Sequence, residues 1–158
     1  SFHVLFVCWG NICRSPAAEC VFRSFVAKEG LADRIACDSA GTISQHAGNP
    51  PDLRMQEAAE LRDIRLEGAA RIVTLADLDR FDLLLAMDNF NLSELRSLAP
   101  DAELAQKIRP FCEYLTEHDW DQVPDPYYGG SRGFDIVLDL LEDGCRSLLA
   151  SIREQLSI

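Results

Sequence analysis

The stretch Val4-Leu5-Phe6-Val7-Cys8-Trp9-Gly10-Asn11-Ile12-Cys13-Arg14-Ser15-Pro16 constrains this chain more than any other. An apolar run stops at Cys8, and a short loop with Gly10 and Asn11 follows. Pro16 sits where a helix can begin, since its fixed φ and missing N–H suit a first turn. The pattern is a strand, an anion-sized loop and a helix N-terminus. Backbone N–H groups curling into a helix start converge on one point, where the helix dipole adds positive charge. Arg14 can grip two oxygens of a phosphate with its planar fork. The same surroundings favour the thiolate of Cys8, and a thiolate facing a bound phosphorus is a nucleophile in position to attack. A Cys-x5-Arg spacing alone is a weak signal; the following serine and the strand–loop–helix context give it weight.

The rest of the chain alternates strands and helices. Residues 2–8 form a nearly all-apolar first strand, as expected where both sheet faces are buried. A helix over residues 16–29 carries Ala18, Val21, Phe22 and Phe25 on one stripe, with Ser15 as N-cap and Gly30 as the stop. A second strand covers residues 35–40, and Pro50-Pro51-Asp52 starts a second helix. Residues 69–75 are extended, and Thr74 to Asp77 open one helical turn. Residues 81–87 read as a third strand, Asp88 as the cap of a helix to Leu98, and residues 107–111 as a fourth strand. A loop over residues 116–132, rich in Asp, Pro, Tyr and Gly, precedes a last helix over residues 134–156, whose apolar periodicity is the clearest in the chain. This order predicts one domain over residues 1–158: an α/β fold with a parallel sheet and helices on both faces. Ligands in such sheets bind beyond the carboxyl ends of strands at a topological switch point, and Cys8 lies at such an end.

The sequence Cys8-Trp9-Gly10-Asn11-Ile12-Cys13-Arg14-Ser15-Pro16 resembles the phosphate-binding loop of low-molecular-weight protein tyrosine phosphatases, and further matches span most of the chain. The resemblance implies a four-stranded parallel sheet of the doubly wound, flavodoxin-like kind. It implies hydrolysis of phosphotyrosine, an aryl phosphate monoester, through a cysteinyl-phosphate at Cys8, with Arg14 on the phosphate oxygens and no cofactor or metal. Protonating the leaving oxygen needs an acid. By residue type Asp119, Asp121 and Asp125 all compete, although Pro126 biases Asp125 towards an extended backbone. Asp125-Pro126-Tyr127-Tyr128 resembles the general-acid loop of the family, which selects Asp125 and gives Tyr127 and Tyr128 as aromatic walls.

Asn11 tolerates the positive φ that a tight loop needs. A hydroxyl such as Ser39 can pin its side chain, and the family uses a serine at that place. Ser15 can donate to the thiolate. Cys13 is either a small buried residue or a thiol that traps an oxidised Cys8 as a disulfide; the resemblance favours the second. The chain departs from the family at Gln45, beside His46, where many members carry an aromatic residue, and at Gly68, where some carry histidine. Trp9 stands where a small aliphatic residue is common. It is expected to replace the missing wall, facing Tyr127 or Tyr128.

The 158 residues contain six cysteines at irregular spacing and no Cys-x-x-Cys pair, which predicts free thiols in a reducing cytoplasm. The net charge of -11 disfavours nucleic acid and anionic membrane surfaces as partners. No apolar run reaches membrane-spanning length. The three histidines form no metal-ligand pattern. Expected partners are phosphotyrosine-containing proteins, a tyrosine kinase among them, for a monomer or weak dimer. Two other readings compete. An arsenate reductase on this fold would need resolving cysteines on a mobile segment, and residues 64–87 contain none. A phosphotyrosine-binding module without turnover would have no use for the nucleophile.

Overall fold

The structure, a computed structural model, describes residues 1–126 and 130–158. Among them the elements run β1 (Phe2–Cys8), α1 (Arg14–Lys28), β2 (Ile35–Gly41), α2 (Leu53–Glu60), α3 (Leu75–Arg80), β3 (Leu83–Ala86), α4 (Asn89–Leu98), α5 (Ala102–Ala105), β4 (Ile108–Pro110) and α6 (Ser131–Leu156). A 3-10 turn, Phe111–Tyr114, follows β4. The sheet is wholly parallel, in the order β2-β1-β3-β4. Its central strand β1 pairs Cys8 with Gly41 of β2 on one side and Val7 with Ala86 of β3 on the other. The chain therefore leaves β1 towards opposite edges, and the switch point opens beyond Cys8.

Side chains alternate across a strand, so a strand buried on both sides must be apolar throughout. Val4, Phe6 and Cys8 face one core, shared with Phe22 of α1, Phe111, and Leu138 and Cys145 of α6. Leu5 and Val7 face the other, with Leu78, Phe81, Leu84, Leu95 and Ile108. Phe6 meets Phe22 and Phe111 edge-on at centroid distances of 5.7 and 6.3 Å. Gly144 lets α6 pass over Phe111: a Cβ there would lie 2.3 Å from the ring.

Several boundaries differ from the sequence reading. α1 begins at Arg14, and its N-cap is Cys13, without a side-chain cap. The expected capping by Ser15 is corrected, because its hydroxyl is turned inward to Cys8 and Asn11. Pro16 is tolerated inside the first turn, where no intrahelical partner awaits its missing N–H. β3 is shorter than expected at both ends. β4 stops at Pro110, where the 3-10 turn begins. α5 was not anticipated; it is one short turn capped by Asp101, which accepts from the Leu104 N–H at 2.9 Å. α6 starts three residues early, at Ser131. No helix among the described residues is long and apolar enough to cross a membrane.

Candidate active site

Cys8 ends β1, and the next residues turn back over the sheet edge. The Thr42 N–H reaches the carbonyls of Cys8 and Trp9 at 3.0 and 2.9 Å, and the Ile43 N–H reaches Trp9 at 3.1 Å. This approach needs Gly41, where a Cβ would sit 2.7 Å from the Trp9 carbonyl. Asn11 takes the expected left-handed conformation, with φ of 58°. Its carboxamide nitrogen donates to Ser15 Oγ at 2.8 Å and to Ser39 Oγ at 3.0 Å. Its oxygen accepts the Arg71 N–H at 3.0 Å. Ser15 Oγ lies 2.9 Å from Cys8 Sγ. Either atom can donate in this contact; towards a thiolate only the serine hydroxyl can. Ser39 in turn donates to Glu19 at 2.6 Å. Asn11, Ser15 and Ser39 thus brace the loop from behind.

Arg14, at the first position of α1, is only 3% exposed. One guanidinium nitrogen, Nη1, donates to Asp88 at 2.7 Å and to the Val123 carbonyl at 3.1 Å. The other, Nη2, lies 3.7 Å from Asp125 Oδ2. Burial alone would push the guanidinium down, but Cys8, Asp88 and Asp125 around it outweigh this and push it up. Burial pushes the Cys13 thiol up, and Asp52, Cys8 and Asp125 add to the effect. Cys13 is therefore held protonated.

Asp125 comes from a loop anchored on its N-terminal side. Val123 is fully buried, and its N–H donates to Met87 at 2.8 Å. Gln122 accepts the Asn89 N–H at 2.7 Å. Upstream, buried Asp143 of α6 accepts the N–H groups of Thr116, Glu117 and His118, each at 3.0 Å, and faces His118 Nδ1 at 2.8 Å.

Cys8, Trp9, Gly10, Ile12, Cys13, Arg14, Gln45, His46 and Asp125 line one cavity of about 180 Å³. Cys8 and Arg14, from one loop, thus meet Asp125, from a distant part of the chain, at one opening. Trp9 is 38% exposed on its rim. Beside Gln45 in the sequence, His46 packs its ring on Gly10, where an added Cβ would lie 2.8 Å from it. Tyr127 and Tyr128 lie outside the described residues. Sequence reasoning took Asp88 only as a helix cap; it caps α4 through the Asn91 N–H and also holds Arg14. Its place at the carboxyl end of β3, beside the end of β1, was the available signal. The roles of Arg71, Glu19 and Asp143 have no local signature.

The family model for low molecular weight phosphotyrosine protein phosphatase matches residues 3–158. The chain is 46% identical over 153 residues to a putative low molecular weight protein-tyrosine-phosphatase of Synechocystis, covering 97% of this chain and 98% of the relative. A solved protein tyrosine phosphatase of Entamoeba histolytica superposes with a TM-score of 0.95 at 42% identity, covering 98% of this chain and 99% of that one. YfkJ of Bacillus subtilis superposes with a TM-score of 0.91 at 45% identity, covering 98% and 96%.

Proposed function

Since this chain belongs to the low molecular weight phosphotyrosine protein phosphatase family, we propose that it hydrolyses phosphotyrosine in proteins at the cavity beside Cys8. The Cys8 thiolate attacks phosphorus in line; a P–S bond forms as the P–O bond to the tyrosine ring breaks. Asp125 gives its proton to the leaving phenolic oxygen. Arg14 and the loop amides hold the three equatorial oxygens, which carry the spread charge of a loose transition state. Ser15 stabilises the thiolate before attack and again when it departs. Water then attacks the cysteinyl-phosphate, the Asp125 carboxylate takes its proton, and inorganic phosphate leaves.

One observation carries this reading: a thiol, a buried guanidinium and a carboxylate line a single cavity. Trp9 forms an aromatic wall for the substrate ring. Cys13, next to the nucleophile, is the thiol that condenses with a Cys8 sulfenic acid, releasing water and leaving a reducible disulfide. All six cysteines are unpaired, which supports a cytoplasmic place of work. The whole chain acts as one phosphatase domain, as a monomer or weak dimer, on phosphotyrosine proteins that include a tyrosine kinase.

The test is turnover of an aryl phosphate with and without EDTA. Turnover is expected in both, abolished in Cys8→Ser and lowered about two to four orders of magnitude in Asp125→Ala. Full activity of Cys8→Ser overturns the reading.

A further inference from the structure

A second opening adjoins the catalytic one. A cavity of about 260 Å³ is lined by Trp9, Arg14, Asp88, Phe90, Asn91 and Asp125. Trp9, Arg14 and Asp125 line both spaces, so a substrate whose ring enters the first can continue into the second. Phe90, on the first turn of α4, is 62% exposed.

Asn91 is 0% exposed, and both polar atoms of its carboxamide are buried without a hydrogen-bond partner. Its backbone N–H is already taken by Asp88. A buried polar group left unpaired keeps the full cost of leaving water, and in a native protein such a group calls for a specific explanation, such as a partner that arrives from outside. A carboxamide offers donors and an acceptor, the complement of the one N–H and one C=O of a peptide unit. The one cation of this cavity, Arg14, pairs with Asp88 at 2.7 Å and lies 3.7 Å from Asp125, so the lining offers no cation to a ligand and carries more negative than positive charge. The surface left for a ligand is then the aromatic rings of Trp9 and Phe90, while Asp125 disfavours an acidic neighbour.

We propose that this second cavity is a subsite for the polypeptide beside the phosphotyrosine. An apolar side chain flanking the phosphotyrosine lies between Trp9 and Phe90, and Asn91 exchanges hydrogen bonds with a backbone peptide group of the substrate. Because Asn91 is fully buried, the peptide reaches it with a shift of the cavity wall. The inference rests on the phosphatase reading above.

The test compares p-nitrophenyl phosphate with phosphotyrosine hexapeptides carrying Leu, Gly or Asp on either side of the phosphotyrosine. The native chain should prefer Leu to Gly on one side by about tenfold in kcat/KM, and Asp should be worst there. Phe90→Ala and Asn91→Leu should each lower the ratio of peptide to p-nitrophenyl phosphate kcat/KM by about tenfold, mainly through KM. Ratios that stay flat across flanks and variants overturn the subsite. So does an Asn91→Leu variant that is more stable and keeps the native ratio, since Asn91 is then only an ill-satisfied core residue. Should Asn91→Leu fail to fold, Phe90→Ala and the Leu-to-Gly preference decide. Absence of p-nitrophenyl phosphate turnover in the native chain is a different outcome, which strikes the phosphatase reading itself.

Discussion

Arg14 and Asp88, 74 residues apart, form an ion pair of 2.7 Å in which the guanidinium is almost wholly buried. The same carboxylate caps α4, so one side chain ties the phosphate loop to the neighbouring strand–helix junction. A buried arginine holds its fork in one orientation only when something behind it is fixed. Asp88 and the Val123 carbonyl supply that backing through Nη1.

Asp88→Asn keeps a good helix cap and removes the charge behind Arg14. It should cost about 3 kcal/mol, the low end for breaking a buried pair, because Cys8 and Asp125 still face the guanidinium. Asp88→Ala should cost about 1 kcal/mol more through the lost cap. Both should lower kcat/KM for aryl phosphates by about tenfold or more, from a misplaced guanidinium. Denaturant unfolding and steady-state kinetics of the two variants check this; native kinetics in Asp88→Asn would contradict it.

Asp143 acts at a distance from the chemistry, by fixing the loop that leads to Asp125. Burial would raise its carboxyl, but hydrogen bonds from Thr116, His118 and Glu117 outweigh that and hold it down to about 2. A depressed carboxyl stabilises the folded state at pH values above its unfolded range, near 4, and the contribution is lost as pH falls towards 2. Asp143→Asn should therefore lose about 2–3 kcal/mol at neutral pH. The gap from the native chain should close between about pH 4 and pH 2, as urea titrations across that range would reveal. A constant gap would show that the loop is held by other means.

Trp9 is exposed on the rim of the cavity, which Gln45 and His46 also line. Trp9→Ala should raise KM for phosphotyrosine peptides about tenfold, as expected for a lost ring–ring contact of about 1.5 kcal/mol. Small alkyl phosphates should be much less affected. Equal losses for both substrates would remove the stacking role.

Gly144→Ala sets two effects against each other. Alanine favours the helix by about 1 kcal/mol. Its Cβ would lie 2.3 Å from the Phe111 ring, which is fully buried against Phe6 and cannot easily retreat. Overpacking of this kind costs about 1–3 kcal/mol, a net loss of up to about 2 kcal/mol after the helix gain, so the variant should melt lower by up to about 8 °C. A higher melting temperature would mean that the ring has room to turn.

The parts legible in the sequence are those whose signal is local. β1 is an unbroken apolar run because both its faces are covered, and α6 shows its stripe over many turns. The positive φ of Asn11 and its bond to Ser39 followed from loop chemistry and from the family pattern together. Short elements were blurred: α5 is a single turn whose cap, Asp101, looks like any loop aspartate. Ser15 was misassigned because a serine before a proline reads as a cap until a thiol and a carboxamide compete for its hydroxyl. Asp88, Val123 and Asp143 act through contacts spanning 74, 109 and 27 residues, which no spacing rule encodes. Tyr127 and Tyr128 lie outside the described residues, so the wall they were expected to form rests on the sequence pattern alone.

The account stands on covalent catalysis by Cys8. Asp125→Ala should slow both protonation of the leaving group and activation of water. Mixing this variant with an aryl phosphate, quenching in acid and mapping the peptides by mass spectrometry tests the claim directly. A single phosphoryl group on Cys8, absent from Cys8→Ser treated in the same way, is the result predicted. Turnover by Cys8→Ser at the native rate, or phosphate found on another side chain, would contradict it.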